Sequence, residues 1–105
     1  MMHLVDTVEV SPEHVRDYLD LVGSLGTAVM TEAGARFVSM ATTPGEVGER
    51  VEIQVVWAFD DFVHWNEIRK NLVLDPRYHE YGSAAASRRV GGTRRFFAPA
   101  TSSSS

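Results

Sequence analysis

The sequence predicts an α+β protein with a ferredoxin-like fold, in which an antiparallel sheet carries helices on one face. The hydrophobic patterning gives the element order β-α-β-β-α-(α)-β, which is the split βαβ arrangement of this fold. The 105 residues are 44% apolar and 23% charged, an ordinary globular composition that suffices for one core. Residues 1–100 are therefore interpreted as one domain, and the serine-rich residues 101–105 as a flexible tail.

The first third of the chain predicts a strand followed by a long helix. HLVDTVEV, residues 3–10, alternates in polarity as a half-buried strand does. Its more apolar face should point at the helices, and that face carries Asp6 inward together with Leu4, Val8 and Val10. Ser11 and Pro12 suit the start of a helix, apolar residues recur at spacings of three and four to about residue 32, and Gly34 should end it.

The rest of the chain predicts a hairpin, two more helices and a last strand. Alternating apolar residues favour strands, and Asp-Pro interrupts a helical pattern. In order, the expected elements are a strand over 35–43, a loop over 43–49, a strand over 50–59, a helix capped by Asp60 or Asp61 that runs to about Val73, a helix over 77–89, a turn at Gly91 and Gly92, and a strand over 93–99.

The sheet face that points away from the helices mixes apolar and polar side chains. Val5, Val56 and Ala58 should lie on it beside residues such as His3 and Thr7. A second copy of the same sheet would cover such a face economically, so we expect a homodimer.

Composition argues against several classes of protein and site. The net charge of −4 disfavours nucleic-acid binding, and the absence of cysteine excludes disulfides and thiolate metal sites. The spacing of the four histidines does not suit a metal site, so we expect no bound metal. No apolar run is long enough to cross a membrane, and the first residues lack the pattern of a signal peptide, so a cytoplasmic location is expected.

The segment VVWAFDDFVHWNEIRKNLVLDPRYHEY, residues 55–81, resembles the NIPSNAP branch of the dimeric α/β-barrel superfamily. The shared pattern is a strand ending in Trp-x-aromatic, a charged helix, and Asp-Pro before an aromatic residue. It is matched here by Trp57, Phe59, Arg69, Asp75, Pro76 and Tyr78. The family often has an arginine near position 65, where this chain has Trp65. The wider superfamily includes cofactor-free monooxygenases, polyketide cyclases, isomerases and haem-degrading enzymes, so the resemblance implies a fold more than a reaction.

Arg69 is the first candidate for a functional residue. Helical periodicity predicts that it lies within the apolar face of the helix over 60–73, beside Trp65 and Ile68. A buried guanidinium needs a partner or a cavity, and Asp6, which interrupts the apolar face of the first strand, is the natural partner. The two are either a structural ion pair or members of an active site.

Six further side chains are candidates. A histidine can move protons near neutral pH, a tyrosine can hold its hydroxyl over a pocket, and a tryptophan can stack on a planar substrate. Each also has a simpler interpretation, as a half-buried histidine or as a core aromatic residue. The candidates are His64 and His79 for proton transfer, and Tyr18, Trp57, Trp65 and Tyr78 for substrate binding.

The family resemblance implies a cofactor-independent enzyme, with no bound cofactor, that acts on a small, largely apolar organic molecule by proton transfer, and the residues above are the candidates to line its pocket. Cyclase, isomerase or lyase chemistry in polyketide or other secondary metabolism fits best. Asp6, His64 or His79 would move protons. Arg69, together with Tyr18 or Tyr78, would stabilise the developing negative charge. A cofactor-free monooxygenase and a non-catalytic dimer that binds a small ligand or assists a partner are the alternatives.

Overall fold

The computed structural model describes residues 1–44 and 50–100, and in them an antiparallel sheet carries all the helices on one face. This confirms the ferredoxin-like α+β prediction. The sheet has the strand order β2-β3-β1-β4. The strands are β1 (Met2–Val10), β2 (Arg36–Thr42), β3 (Val51–Phe59) and β4 (Arg89–Phe97). The predicted tail over 101–105 and most of the predicted loop over 43–49 lie outside the described residues.

The helices follow the predicted order with one irregularity. A 3-10 turn (Pro12–His14) leads into α1 (Val15–Leu21), a π-helical segment (Val22–Gly26) and α2 (Thr27–Ala33), and these are followed by α3 (Phe62–Val73) and α4 (Pro76–Arg88). Gly34 ends α2 with a φ of 121°, as predicted, because this backbone conformation disfavours any side chain. No helix in the described ranges has the length and apolar character needed to cross a membrane.

Strand β1 is one of the two central strands of the sheet, and it pairs antiparallel with both β3 and β4. Its alternation buries Leu4, Val8 and Val10 against the helices, which confirms the predicted inward face. The core continues across β3, where Trp57 and Phe59 are almost fully buried. The predicted hairpin of β2 and β3 is also confirmed.

The predicted turn at Gly91 and Gly92 is wrong, because both glycines lie inside β4. They pair with Glu9 and Val8 of β1. A Cβ atom at position 92 would lie 3.0 Å from the Thr7 carbonyl oxygen and 3.0 Å from Val8 Cγ1. The glycine therefore permits a close approach of two strands rather than a reversal of the chain.

The π-helical segment brings the first helical region close to α4. Thr27 donates a hydrogen bond from its hydroxyl to the Val22 carbonyl oxygen at 2.8 Å, which supports the wider turn. Gly26 is buried, and a Cβ atom there would lie 2.8 Å from Cε1 of Tyr81. The absence of a side chain at this position lets the Tyr81 ring pack directly on the helix backbone.

Asp75, Arg77 and Glu32 form a cluster of ion pairs at the start of α4, which we call the charged corner. Asp75 accepts a hydrogen bond from the Arg77 backbone amide at 2.9 Å, and Pro76 occupies the first helical turn. The Arg77 guanidinium donates to Asp75 Oδ2 and to Glu32 Oε1, both at 2.8 Å. Arg77 therefore links the start of α4 to the end of α2.

Substitution of Gly26 by alanine should destabilise the fold, because the new methyl group displaces the Tyr81 ring. We expect Gly26→Ala to lower the free energy of unfolding by about 1–3 kcal/mol, measured by urea denaturation. Gly23 lies in the same π-helical segment, and a Cβ atom added there would have nothing within 4 Å. Gly23→Ala is thus the matched control, and it should be neutral or stabilising by up to about 1 kcal/mol. Equal losses in both variants would contradict the proposed contact.

The charged corner should make stability depend on pH. Hydrogen bonds from Arg77 lower the pKa of the Glu32 and Asp75 carboxyls, so the corner stabilises the fold above their ordinary pKa values and loses this contribution as pH falls through the lowered ones. Arg77→Met should therefore lower the urea midpoint at pH 7, and the gap from the wild type should close as pH falls below about 4.

The control for this experiment is Lys70→Met, which breaks an exposed ion pair with Glu67 whose atoms are 3.7 Å apart. It should change the urea midpoint little at any pH, because exposed pairs of this kind contribute little. A gap for Arg77→Met that stays constant from pH 7 to pH 3 would show that Arg77 acts through packing rather than charge.

Candidate functional site

A cavity of about 310 Å³ lies between the β1/β4 half of the sheet and helices α1 and α4. We call it the β1/β4 cavity. Strand alternation and helical periodicity bring the polar side chains of four elements to it. Its lining consists of Asp6, Val8, Tyr18, Tyr78, Tyr81, Gly82, Ala85, Arg89, Gly92, Thr93 and Arg94.

An ion pair forms the sheet side of the cavity. Asp6 and Arg94 are register partners on β1 and β4, and both project toward the helices. Arg94 Nε donates to Asp6 Oδ1 at 2.7 Å, and Arg94 Nη2 donates to Oδ2 at 3.1 Å. Burial lowers the pKa of Arg94, but the hydrogen bonds and the charge of Asp6 outweigh it, so the net shift is upward and the guanidinium stays charged.

Tyrosine hydroxyls form the helix side of the cavity. Tyr18 is 3% exposed, and its burial raises the pKa of its hydroxyl, an effect that Arg89 partly offsets and Asp6 reinforces. Burial also raises the pKa of the Tyr81 hydroxyl, with further increases from Tyr18 and Asp6. Both phenols therefore stay protonated at physiological pH, and each has a hydrogen to donate.

Arg89 adds a second positive charge at the mouth of the cavity. It follows the last residue of α4 and begins β4, which turns its exposed side chain toward Tyr18. Arg89 makes no ion pair with any carboxylate in the part of the chain that the structure describes. Since Arg94 is already paired with Asp6, the cavity lining carries two guanidinium groups against one carboxylate.

The cavity unites three of the residues that the sequence proposed for a site, namely Asp6, Tyr18 and Tyr78. The predicted contact between Asp6 and Arg69 is wrong, because Asp6 pairs with Arg94. Arg69 is exposed on α3 and borders a shallow surface depression near Leu74.

The error at Arg69 has a physical reason. The sequence suggested a broad apolar face on α3, but only a narrow stripe of Trp65, Ile68 and Leu72 is buried. Phe62 at one end of the helix is 53% exposed. One residue past Ile68 advances about 100° around the helix, which takes Arg69 off the stripe and into solvent.

The remaining four candidates do not line the cavity. His64 Nδ1 accepts a hydrogen bond from the Asp60 backbone amide at 2.9 Å, and His79 Nε2 lies 3.0 Å from the Val73 carbonyl oxygen. Trp57 and Trp65 are 1% and 6% exposed and pack in the core. Their placement favours the simpler interpretations of these side chains, as helix-end histidines and core aromatic residues.

Among the charged and phenolic residues of the lining, sequence reasoning missed three: Tyr81, Arg89 and Arg94. Tyr81 follows Tyr78 by three residues and so shares its helix face, a signal that was available. Arg94 alternates with Phe96, and Phe96 packs 5.4 Å from Trp65 between ring centroids. Extending β4 back through the two glycines would have placed Arg94 opposite Asp6.

The described part of the chain contains no group of three or more histidine, aspartate or glutamate side chains that could hold a metal ion. The β1/β4 cavity itself offers a single carboxylate and no histidine. What the lining provides is a set of hydrogen-bond donors and positive charge, which suits an electron-rich oxygen of an organic ligand.

Solved structures show where this fold occurs. An uncharacterised NIPSNAP domain protein from Burkholderia xenovorans superposes with a TM-score of 0.81 at 21% identity, over 100% of both chains. A NIPSNAP family protein of unknown function from Agrobacterium tumefaciens gives 0.75 at 22% identity, over 98% of this chain and 91% of that chain. The chain has the fold of the NIPSNAP domain proteins. The resemblance seen in residues 55–81 is thus confirmed at the level of the fold.

A more distant neighbour has a known type of activity. SnoaB, a cofactor-independent oxygenase from Streptomyces nogalater, superposes with a TM-score of 0.61 at 12% identity, over 96% of this chain and 94% of that chain. Comparison with models of protein families finds no match. Comparison with curated proteins finds none either. Identities this low establish a common fold only. The reaction has to be inferred from the residues of the site.

The ion pair can be tested by a double-mutant cycle of Asp6→Asn and Arg94→Met. We expect each single change to destabilise the protein and the double mutant to recover a coupling energy of about 1 kcal/mol, modest because the Arg94 side chain is 41% exposed. Urea denaturation measures all four free energies. Arg69→Met should stay within about 0.5 kcal/mol of the wild type. Strictly additive losses at positions 6 and 94 would contradict the pairing.

Proposed function

We propose that the chain is a cofactor-independent enzyme that transfers protons on a small organic molecule held in the β1/β4 cavity. The observation that carries the proposal is the convergence of a carboxylate, two guanidinium groups and three phenols on one cavity of about 310 Å³. A space of this size accommodates a small organic molecule, and such a mixture of groups is what acid–base chemistry requires.

Each group has a role that follows from its chemistry. Asp6 is bound to Arg94, but each carboxylate oxygen has a second lone pair, so Asp6 can accept a proton from a carbon next to a carbonyl group. The hydroxyls of Tyr18 and Tyr81 donate hydrogen bonds to the enolate oxygen that develops. Return of the proton to another carbon completes an isomerisation, and attack of the enolate carbon on a second carbonyl completes a cyclisation.

Cofactor-free oxygenation is the second candidate, favoured by the likeness of the fold to SnoaB, a cofactor-independent oxygenase. It would use the same enolate, which is electron-rich enough to react with O₂. In that reaction a methylene carbon of the substrate becomes a carbonyl carbon. One oxygen atom of O₂ enters the product and the other leaves as water, so the substrate supplies all the electrons.

We also propose that the working form is a homodimer in which the outer faces of two sheets pack together. The outer face carries the half-buried Val5 and Val56, and Phe97 beside them is 45% exposed. Arg95 lies 5.3 Å from the centroid of the Phe97 ring, so this face combines apolar area with charge. Burial of that apolar area would favour association.

Proton transfer can be measured without knowing the natural substrate. We expect the protein to accelerate exchange of the α-hydrogens of 2-tetralone in D₂O, followed by NMR under nitrogen. Asp6→Asn should slow the protein-dependent exchange by about 100-fold or more, since it removes the proposed base. Asp17 is an exposed aspartate on α1 outside the cavity lining, and Asp17→Asn should leave the rate unchanged.

Two other outcomes distinguish the alternatives. If the α-hydrogens of 2-tetralone exchange no faster than in buffer although the protein binds the compound, the catalytic proposal is contradicted. That result would favour a non-catalytic ligand-binding protein. Oxygen uptake under air, measured with an electrode and abolished by Asp6→Asn, would show that the enolate goes on to react with O₂.

A further inference from the structure

We propose that the molecule bound in the β1/β4 cavity is a small, largely apolar carboxylic acid and that Arg89 recognises its carboxylate. The inference rests on the proposed function, because it names the substrate class of the same cavity. It also adds a specificity-determining residue that the proton-transfer mechanism does not use.

The charges of the cavity lining are not balanced, since it holds two guanidinium groups and one carboxylate. Asp6 is the only carboxylate among the residues that line the cavity, and both of its oxygens accept hydrogen bonds from Arg94. Arg89 is left without an acidic partner in the described part of the chain. A ligand with one negative charge at the cavity mouth would therefore supply the ion-pair partner that Arg89 lacks.

The hydrogen-bonding groups of the cavity lining are not balanced either. Arg89 carries five N–H donors, and the hydroxyls of Tyr18 and Tyr81 each supply another. The one carboxylate of the lining is already engaged. The cavity thus has more donors than acceptors, which a carboxylate ligand corrects because it only accepts hydrogen bonds.

Arg89 and Tyr18 line the same cavity. Burial raises the pKa of the Tyr18 hydroxyl and the charge of Arg89 lowers it by a smaller amount, so the two groups act on the same part of the cavity. The two oxygens of one carboxylate can therefore contact both groups at once. A neutral carbonyl group has a single oxygen and no charge, so it would bind to Arg89 and Tyr18 more weakly than a carboxylate.

The cavity also has an apolar part that suits the body of such a ligand. Val8 and Ala85 are 4% and 3% exposed and contribute apolar surface to the lining. Gly82 adds no side chain, and a Cβ atom there would have nothing within 4 Å, which leaves room for a flat hydrocarbon skeleton beside the phenol rings. An aromatic or alicyclic acid combines such a skeleton with the anionic group that Arg89 would bind.

The test compares two probes of similar shape and different charge, 1-naphthoate and 1-naphthamide, by isothermal titration calorimetry with the full chain. Wild-type protein should bind naphthoate at least about tenfold more tightly than naphthamide, because a charge-assisted hydrogen bond is stronger than a neutral one. Arg89→Met should weaken naphthoate binding by about tenfold and leave naphthamide binding unchanged. Arg89→Lys keeps the charge and should recover part of the loss.

Arg16→Met is the matched control, because Arg16 is an exposed arginine on α1 that does not line the cavity. It removes the same charge from the protein and should leave both affinities unchanged. Equal affinity of the wild type for the two probes would overturn the inference. Equal weakening of naphthoate binding by Arg89→Met and Arg16→Met would do so as well, since it would reflect net charge alone. Urea unfolding of each variant verifies that the fold is retained.

The outcome separates this inference from the proposed function. Exchange of 2-tetralone that depends on Asp6, with no naphthoate binding, would leave the enzyme proposal standing and remove the acid as the substrate class. Naphthoate binding that depends on Arg89, with no exchange, would leave the acid as ligand and remove the catalysis.

Discussion

Asp6 and Arg94 face each other across β1 and β4 on the side of the sheet that builds the core. The neighbouring pairs on that face are Leu4 with Phe96 and Val8 with Gly92, and neither contains a polar side chain. A charged pair cannot be covered by close-packed hydrocarbon without a large cost, so the helices leave space and polar groups around it. The β1/β4 cavity is the result. The other features of the site, including the tyrosines and Arg89, surround this one polar interruption of the core.

Two glycines let the surrounding elements approach the cavity as closely as they do. Gly92 allows β4 to pass Val8 of β1 closely, and this pairing fixes the register that sets Arg94 opposite Asp6. Gly26 allows the Tyr81 ring to lie against the backbone of the π-helical segment, so its hydroxyl reaches the cavity. Sheet register and helix packing therefore position the site jointly, although neither glycine takes part in any chemistry.

Much of the fold could be predicted from periodicity and end signals, because these are local properties of the chain. Asp61 caps α3, Pro76 begins α4 and Gly34 ends α2 close to where the sequence indicated. The pairing of side chains across elements was harder, because it depends on register. Reading Gly91 and Gly92 as a turn shortened the last strand and hid the register of Arg94 with Asp6. The sequence therefore pointed to Arg69 instead of Arg94 as the partner of Asp6. Arg69, however, lies one residue, or about 100° of helical rotation, away from the buried stripe of α3.

The π-helical segment Val22–Gly26 also has a consequence for how this chain tolerates changes in length. A π-turn holds more residues than an α-turn, so this segment absorbs an extra residue while the helices on either side keep their buried faces toward the core. Deletion of one residue from the segment would leave a regular α-helix with those faces still aligned. Deletion of one residue from the α-helical part between Gly26 and Val29 would instead turn Val29, Met30 and Ala33, all buried now, by about 100° toward solvent. Gaps among proteins that share the cavity should therefore fall within the π-helical segment rather than within α1 or α2.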